Sequence, residues 1–435
     1  MRLGGRLSAA IEILADIEAR RRPVADALKD WGLSHRFAGS KDRAAIGNLV
    51  YDALRRKRSY GARMEEETPR ALVSAAALET LVSGPQALYA ALEGDRFAPE
   101  LPGAEALSRF LDDDAHQAPA AVKADIPDWL APHFEAAFGE DWVAEAAALS
   151  DRPPLDLRVN TLKSDRETVL AALKPFSPEP CALSPVGVRI APIEGDGRHP
   201  NVQVEAGFQK GWFEIQDEGS QLAALLSGAM PGGQVLDFCA GAGGKTLALS
   251  GAMENSGQIH AHDADRQRLA PIYDRLKRAG VRNAQVHDPR DDLSSLEGAM
   301  DIVLIDAPCT GTGTWRRRPD AKWRLSEAAL AKRTAEQDAV LAAASAFVKP
   351  GGTLVYVTCS VLGVENADRV EAFLDRNAGG FLPIDMAARW AEILPDVSPA
   401  YRAVPIAGVA AGGLMLSPRI SGTDGFFIAA LQAAS

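Results

Sequence analysis

Two cysteines of this chain stand where strands should end and turns begin. Cys309 lies in IDAPCTGTGTWRRRP (305–319), directly after an apolar run, and Cys359 lies in TLVYVTCSVLGVEN (353–366). Thiols attack as thiolates, and an ordinary thiol pKa of ~8.5 leaves only a few per cent ionised near pH 7. Lys245 and the arginines after Cys309 are placed to favour the thiolate. The other two cysteines are Cys181 and Cys239. None of the four forms a CxxC pair or has a histidine at zinc-ligand spacing, so no metal site is expected. A structural disulfide is not expected either, because the protein is read as cytoplasmic and thiols there stay reduced.

A glycine loop, DFCAGAGGKT (237–246), follows another strand candidate. Glycines let the backbone approach a ligand and leave N–H groups free to bind it. A Walker A loop needs glycine five residues before the Gly of GKT, and that position is Cys239. A dinucleotide GxGxxG begun at Gly241 reaches Thr246 where its third glycine should stand. The loop therefore fits S-adenosylmethionine better than ATP or NAD. Asp263 ends the next strand, where a carboxylate can accept ribose hydroxyls, and Asp288 ends a third, within reach of an adenine.

Two thiols, an acid and a methyl donor together suit methylation at C5 of cytosine. C5 is a poor nucleophile in the intact ring. A thiolate that adds to C6 makes C5 nucleophilic, and an acid at the N3/N4 edge steadies the adduct. Covalent catalysis of this kind splits one hard step into easier ones.

These residues must be positioned by strands and helices. From about 230 the pattern alternates strand, loop and helix, with strands in QVLDFC, QIHAHD, AQVHD, DIVLIDAP and TLVYVTC. That rhythm predicts a parallel sheet covered on both faces, with ligands at the carboxyl ends of its strands. Residues 1–120 carry apolar residues at helical spacing, as in DRAAIGNLVYDALRR. An acid- and proline-rich passage, LDDDAHQAPAAVKADIPDWLAP (111–132), reads as a linker. Between about 125 and 225, LDLRVNT and VGVRIAP read as strands, and SDRETVLAAL as a helix capped by Ser164 or Asp165.

The formal net charge is −11, yet residues 1–63 hold 14 Arg and Lys against 7 Asp and Glu. A second basic cluster comprises Arg316, Arg317, Arg318, Lys322 and Arg324. Phosphate binding needs local positive charge, not a basic average, so both clusters are candidates for RNA contact. Trp315 and Trp323 are placed either to stack on bases or to pack. No apolar run is long enough to span a membrane, and the amino-terminal stretch lacks the apolar centre of a signal peptide.

The motifs DFCAGAGGKT, DAPCTGTGTWRRRPDAKW, LVYVTCSVLGVEN and DGFFIAAL (424–431) resemble those of the NOL1/NOP2/Sun family of RNA cytosine-C5 methyltransferases, in its bacterial Fmu/RsmB branch. LRVNTLKSD and GWFEIQDEGSQLAALL (211–226) add to the likeness. The resemblance implies an α/β fold in three parts: a helical NusB-like RNA-binding domain (1–120), a linker and small α/β RNA-binding domain (121–228), and a class I Rossmann-like methyltransferase domain (229–435). It implies Cys359 as the nucleophile, Cys309 as the aid to product release and Asp306 as a contact to cytosine or cofactor. Lys245 belongs with these catalytic residues. Cys239, Ala240, Gly241, Ala242, Gly243, Gly244, Lys245, Asp263, Asp288 and Asp306 would hold S-adenosylmethionine. The expected substrate is small-subunit (16S) ribosomal RNA, acted on by a cytoplasmic monomer. Where the family's loop usually reads CAAPGGKT, this chain has Gly241 and Ala242 in place of Ala-Pro, which predicts a looser loop.

Three other readings are open at this point. One is a transfer-RNA cytosine methyltransferase. Another is a methyltransferase of protein or small molecules with both cysteines inert, which predicts that Cys359→Ala keeps activity. The last is an RNA-binding ribosome assembly factor with a vestigial site, which predicts no binding of S-adenosylmethionine.

Overall fold

The computed structural model describes residues 1–111 and 118–435; part of the expected linker, 112–117, lies outside them. The described chain divides into two compact units. The first comprises Met1–Pro153, Pro192–His199 and Trp315–Leu325; the second comprises Pro154–Ala191, Pro200–Thr314 and Ser326–Ser435. No described helix is long and apolar enough to cross a membrane.

The first unit is helical. Leu7, Ala10, Leu14 and Ile17 recur at turn spacing on helix Leu3–Arg20, as do Ile46, Leu49, Val50 and Ala53 on Ser40–Arg55, and these stripes meet in one core. Helix Pro69–Thr80 starts as its sequence suggests, with proline in its first turn and the Thr68 side chain accepting from Ala71 N. The helices Ala131–Phe138 and Trp142–Ala148 also belong here. The unit thus reaches Pro153, past the boundary at 120 that periodicity suggests.

The segment Trp315–Leu325 is built into this unit, which corrects the expectation that its whole basic cluster meets RNA. Arg316 is buried, and Lys322 is 1% exposed. The Lys322 ammonium donates to Arg55 O (3.0 Å) and Ser150 Oγ (3.1 Å). Burial pushes its pKa down to about 8. Arg324 pairs with Asp320, and Arg318 remains exposed. Trp315 packs against Phe134, and Trp323 Nε1 donates to Leu54 O, so both rings serve packing here. Lys322→Ala is expected to destabilise the protein by about 2–4 kcal/mol, whereas Arg318→Ala should stay within about 0.5 kcal/mol. Urea denaturation of the two variants checks this; equal effects would remove the structural role of Lys322.

The second unit holds two sheets. A small antiparallel one contains β1 (Leu155–Val159), β2 (Glu179–Pro180), β3 (Gly187–Ile190) and β4 (Phe213–Ile215), in the order β2-β3-β1-β4. Of the two cap candidates, Asp165 caps the helix Arg166–Ala172. Asp156, Cys181 and Glu218 converge between this sheet and the helix Glu218–Leu225 closely enough to suggest a cation site. Arg189 stands among them, forked onto Asp156 and 3.2 Å from Glu218, and supplies positive charge there.

The large sheet contains β5 (Gln234–Asp237), β6 (Gln258–Ala261), β7 (Ala284–Val286), β8 (Met300–Asp306), β9 (Val348–Thr358), β10 (Phe381–Pro383), β11 (Arg402–Ile406), β12 (Val409–Leu416) and β13 (Phe426–Ala433). Its order is β11-β12-β13-β9-β8-β5-β6-β7, with β10 against β13. The run from β9 to β7 is parallel, as the alternating pattern requires, and β10 to β13 add an antiparallel flank. From β5 the chain winds one way to β6 and β7, then returns to place β8 and β9 on the other side. The crevice at this reversal is where parallel sheets bind ligands.

Candidate active site

Four strand ends meet at that crevice. Asp237 closes β5, and its Oδ2 accepts from Thr246 Oγ1 at 2.7 Å. Its Oδ1 is buried with no hydrogen-bond partner. Burial raises the Asp237 pKa to about 7; the Thr246 hydrogen bond opposes this, and the neighbouring Asp306 adds to it. The glycine loop then turns into helix Gly244–Ala252, whose first residues include buried Lys245. Lys245 Nζ lies 2.7 Å from Asp306 Oδ2 at the end of β8.

Asp263 is buried and accepts from Gly241 N at 2.9 Å, so the acid after β6 holds the loop after β5. Gly241 has φ +50°, a left-handed conformation that glycine adopts without strain. The departure from Ala-Pro therefore suits the local backbone. Arg275 holds the same loop, donating to Ala242 O at 2.7 Å while pairing with Glu214 of β4. Nothing near Arg275 in sequence marks it for that role. Burial pushes the Cys239 thiol up, which makes it an inert loop residue.

Asp288 follows β7, the edge strand of the parallel run. It is paired with Arg290 at 2.8 Å and lines a cavity of about 190 Å³ with Arg266, Tyr273 and Pro289.

The two thiols come together. β8 and β9 pair in parallel with Asp306 opposite Val357, which brings the turns after both strands side by side. Cys309 Sγ and Cys359 Sγ lie 3.4 Å apart. Gly313 N donates to Cys359 O, and Gly425 N, just before β13, donates to Gly313 O. A Cβ on Gly313 would sit 2.1 Å from Gly425 O, so this crossing of the two motifs requires glycine. The Cys309 pKa is pushed well up, first by its hydrogen bond to Cys359, then by burial, then by the charges of Cys359 and Glu365. The expectation that nearby cations activate Cys309 is thus not met: burial and the contact with Cys359 hold its proton more tightly, and either sulfur can donate across the 3.4 Å gap.

Sequence reasoning missed Glu365, although the VEN of the Cys359 motif contains it. The available signal was an acid six residues after Cys359 in an otherwise uncharged motif; its burial shows only in the structure.

A family model described as 16S rRNA methyltransferase RsmB/F matches residues 225–432, and a ferredoxin-like domain model of RsmF/B-like methyltransferases matches 126–192. The ribosomal RNA small subunit methyltransferase B of Citrobacter koseri is 36% identical over 262 residues, 58% of this chain and 58% of that protein. The chain therefore matches just over half the length of this relative. A probable ribosomal RNA small subunit methyltransferase B of Synechocystis is 32% identical over 316 residues, 71% of this chain and 67% of that protein. Among solved structures, a methyltransferase homolog from Pyrococcus horikoshii is 26% identical, with a TM-score of 0.59 over 72% of this chain and 97% of its own. PH0851 shares the fold across 99% of both chains, with a TM-score of 0.69 at 23% identity.

The cofactor is S-adenosylmethionine. The residues present fit it: the unpartnered Asp237 oxygen beside the glycine loop suits a cationic donor. The matched motifs, the thiol pair and the two family models converge, and the chain belongs to the RsmB/F family of 16S rRNA methyltransferases.

Proposed function

We propose that this protein methylates C5 of a cytosine in small-subunit ribosomal RNA through a covalent bond between Cys359 and C6 of the base. The 3.4 Å approach of two thiols at the ends of adjacent parallel strands carries this reading. Bound S-adenosylmethionine supplies an electrophilic methyl group. The loop 239–245 and Asp263 bind it, Asp237 and Asp306 add negative charge, and Asp288 serves the adenine side. Exposed Arg318 is the member of the 316–324 cluster best placed for a phosphate.

Cys359 forms an S–C6 bond, and the displaced electron pair makes C5 nucleophilic. Asp306, held by Lys245, faces the base. Once the Cys359 sulfur is bonded to carbon, its hydrogen bond and its charge no longer raise the Cys309 pKa, and only burial and Glu365 still do. Cys309 then gives its proton to solvent and, as thiolate, takes the C5 proton in the closing step, while the S–C6 bond breaks and Cys359 leaves as thiolate. Bases that react this way must be unstacked or unpaired, so an open RNA segment is the expected target.

Bisulfite sequencing of RNA from cells lacking the gene, with wild-type rescue, tests the reading. One ribosomal cytosine should lose its mark and regain it. A responding transfer-RNA site would leave the chemistry and change the substrate; no responding cytosine would overturn both. Cys309→Ala should retain protein covalently joined to RNA, seen as a slow band on a denaturing gel. An absence of that band, with normal turnover, would remove Cys309 from product release.

A further inference from the structure

We infer that Glu365 is the positioning residue that sets the two thiols against each other, an inference that rests on reading Cys309 and Cys359 as the reacting pair. Its carboxylate is fully buried between the loops that carry them. Oε1 accepts from Thr310 N at 2.8 Å, and Oε2 accepts from the Thr310 hydroxyl and, at 2.5 Å, from Ser360 Oγ. Thr310 directly follows Cys309, and Ser360 directly follows Cys359. One anion therefore clamps the residue next to each thiol.

The clamp is itself held. Gln337 of helix Glu327–Ser345 donates to Glu365 Oε1 at 3.0 Å and to Pro308 O at 2.9 Å, just before Cys309. Tyr356 of β9 donates its hydroxyl to Glu365 O at 2.7 Å. A buried carboxylate is tolerated only when several donors satisfy it, and each donor here lies on an element that bears on a thiol. Glu365 does a second thing through charge: it is among the groups that raise the Cys309 pKa, after the hydrogen bond to Cys359, burial and the Cys359 charge. It touches neither sulfur in this arrangement of bonds, so its action is on placement and on the proton, not on the substrate.

Two variants separate these effects. Glu365→Ala removes the clamp and leaves Thr310 N without its acceptor. Glu365→Gln keeps the shape: its oxygen can face Thr310 N while its amide meets the two hydroxyls, which can turn to accept, and the charge is lost. The measurement is the rate at which dibromobimane bridges the two thiols, which makes it fluorescent, in the full-length protein without RNA or cofactor. The signal missing from Cys309→Ala defines the share due to the pair.

Glu365→Ala should slow bridging by roughly tenfold and methyl transfer at saturating RNA by roughly a hundredfold, with KM nearly unchanged, because a small misplacement of reacting groups is costly. Glu365→Gln should bridge at nearly the wild-type rate, with the pH midpoint of bridging moved down. That midpoint is a readout a merely structural residue would not move, and it keeps the test alive if the alanine variant fails to fold. Unchanged bridging in folded Glu365→Ala, or an unmoved midpoint in Glu365→Gln, overturns the inference. If wild type methylates no cytosine while bridging still depends on Glu365, the functional reading falls and the clamp stands.

Discussion

Cys359→Ala is expected to lower methyl transfer by about a thousandfold or more, equivalent to at least about 4 kcal/mol of lost transition-state stabilisation. The variant removes the sulfur that would activate C5, and no other described group occupies its place beside Cys309. Binding of S-adenosylmethionine, followed by calorimetry, should change little, because the loop 239–245 is held by Asp263 and Arg275. The same variant carries an internal check. The hydrogen bond to Cys359 does most to raise the Cys309 pKa, so the pH profile for alkylation of Cys309 should move down when Cys359 is gone. Methylation that survives the substitution would sink the nucleophile assignment. A Cys309 profile that stays in place would sink the shared-proton description of the pair.

Asp237→Asn should make the protein more stable at pH 8 and worse at binding its cofactor. Asp237 is fully buried, its Oδ1 is unpartnered, and its pKa stands at about 7 against a usual 3.8. A carboxyl raised in the folded state favours folding while it is protonated. Its contribution is fully present below the unfolded pKa and is lost as pH rises through about 7. At pH 8 the wild-type chain therefore carries a buried charge that costs on the order of 2–4 kcal/mol. Asparagine removes that cost and keeps an acceptor for Thr246, so its stability gain should be largest at pH 8 and shrink as pH falls toward 4. Affinity for S-adenosylmethionine should drop by roughly 10- to 100-fold, the scale of a lost charge-assisted contact. In wild type, binding should weaken as pH falls below about 7, where Asp237 gains its proton. Urea midpoints and calorimetric titrations across pH give both results. A destabilised variant with unaltered affinity would show that Asp237 is a structural residue and not a cofactor residue. Such a trade of stability against binding is common where a site holds an uncompensated group.

Much of this was legible in the sequence because it is local. The alternation of apolar runs with helical patterns after 230 announces parallel strands, since the centre of a strand covered on both faces must be apolar, as the 302–305 stretch of β8 and the 354–357 stretch of β9 are. The glycine loop and both thiols follow such runs, so their place at strand ends could be read from spacing alone. Tertiary structure decided what spacing cannot carry. The side of a charge is one example: Lys322 and Arg318 look alike in a basic cluster, yet one is buried in the helical unit and the other faces solvent. The location of a proton is another, because Cys309 is held as a thiol by a partner 50 residues away. The carboxylate of Glu365 between the two loops and the unpaired oxygen of Asp237 likewise arise only when distant strands are laid side by side. Sequence determines which groups are present and which elements carry them; distance, burial and shared protons belong to the packed sheet, because electrostatic interactions depend on separations through space and on local solvent, neither of which order along the chain contains.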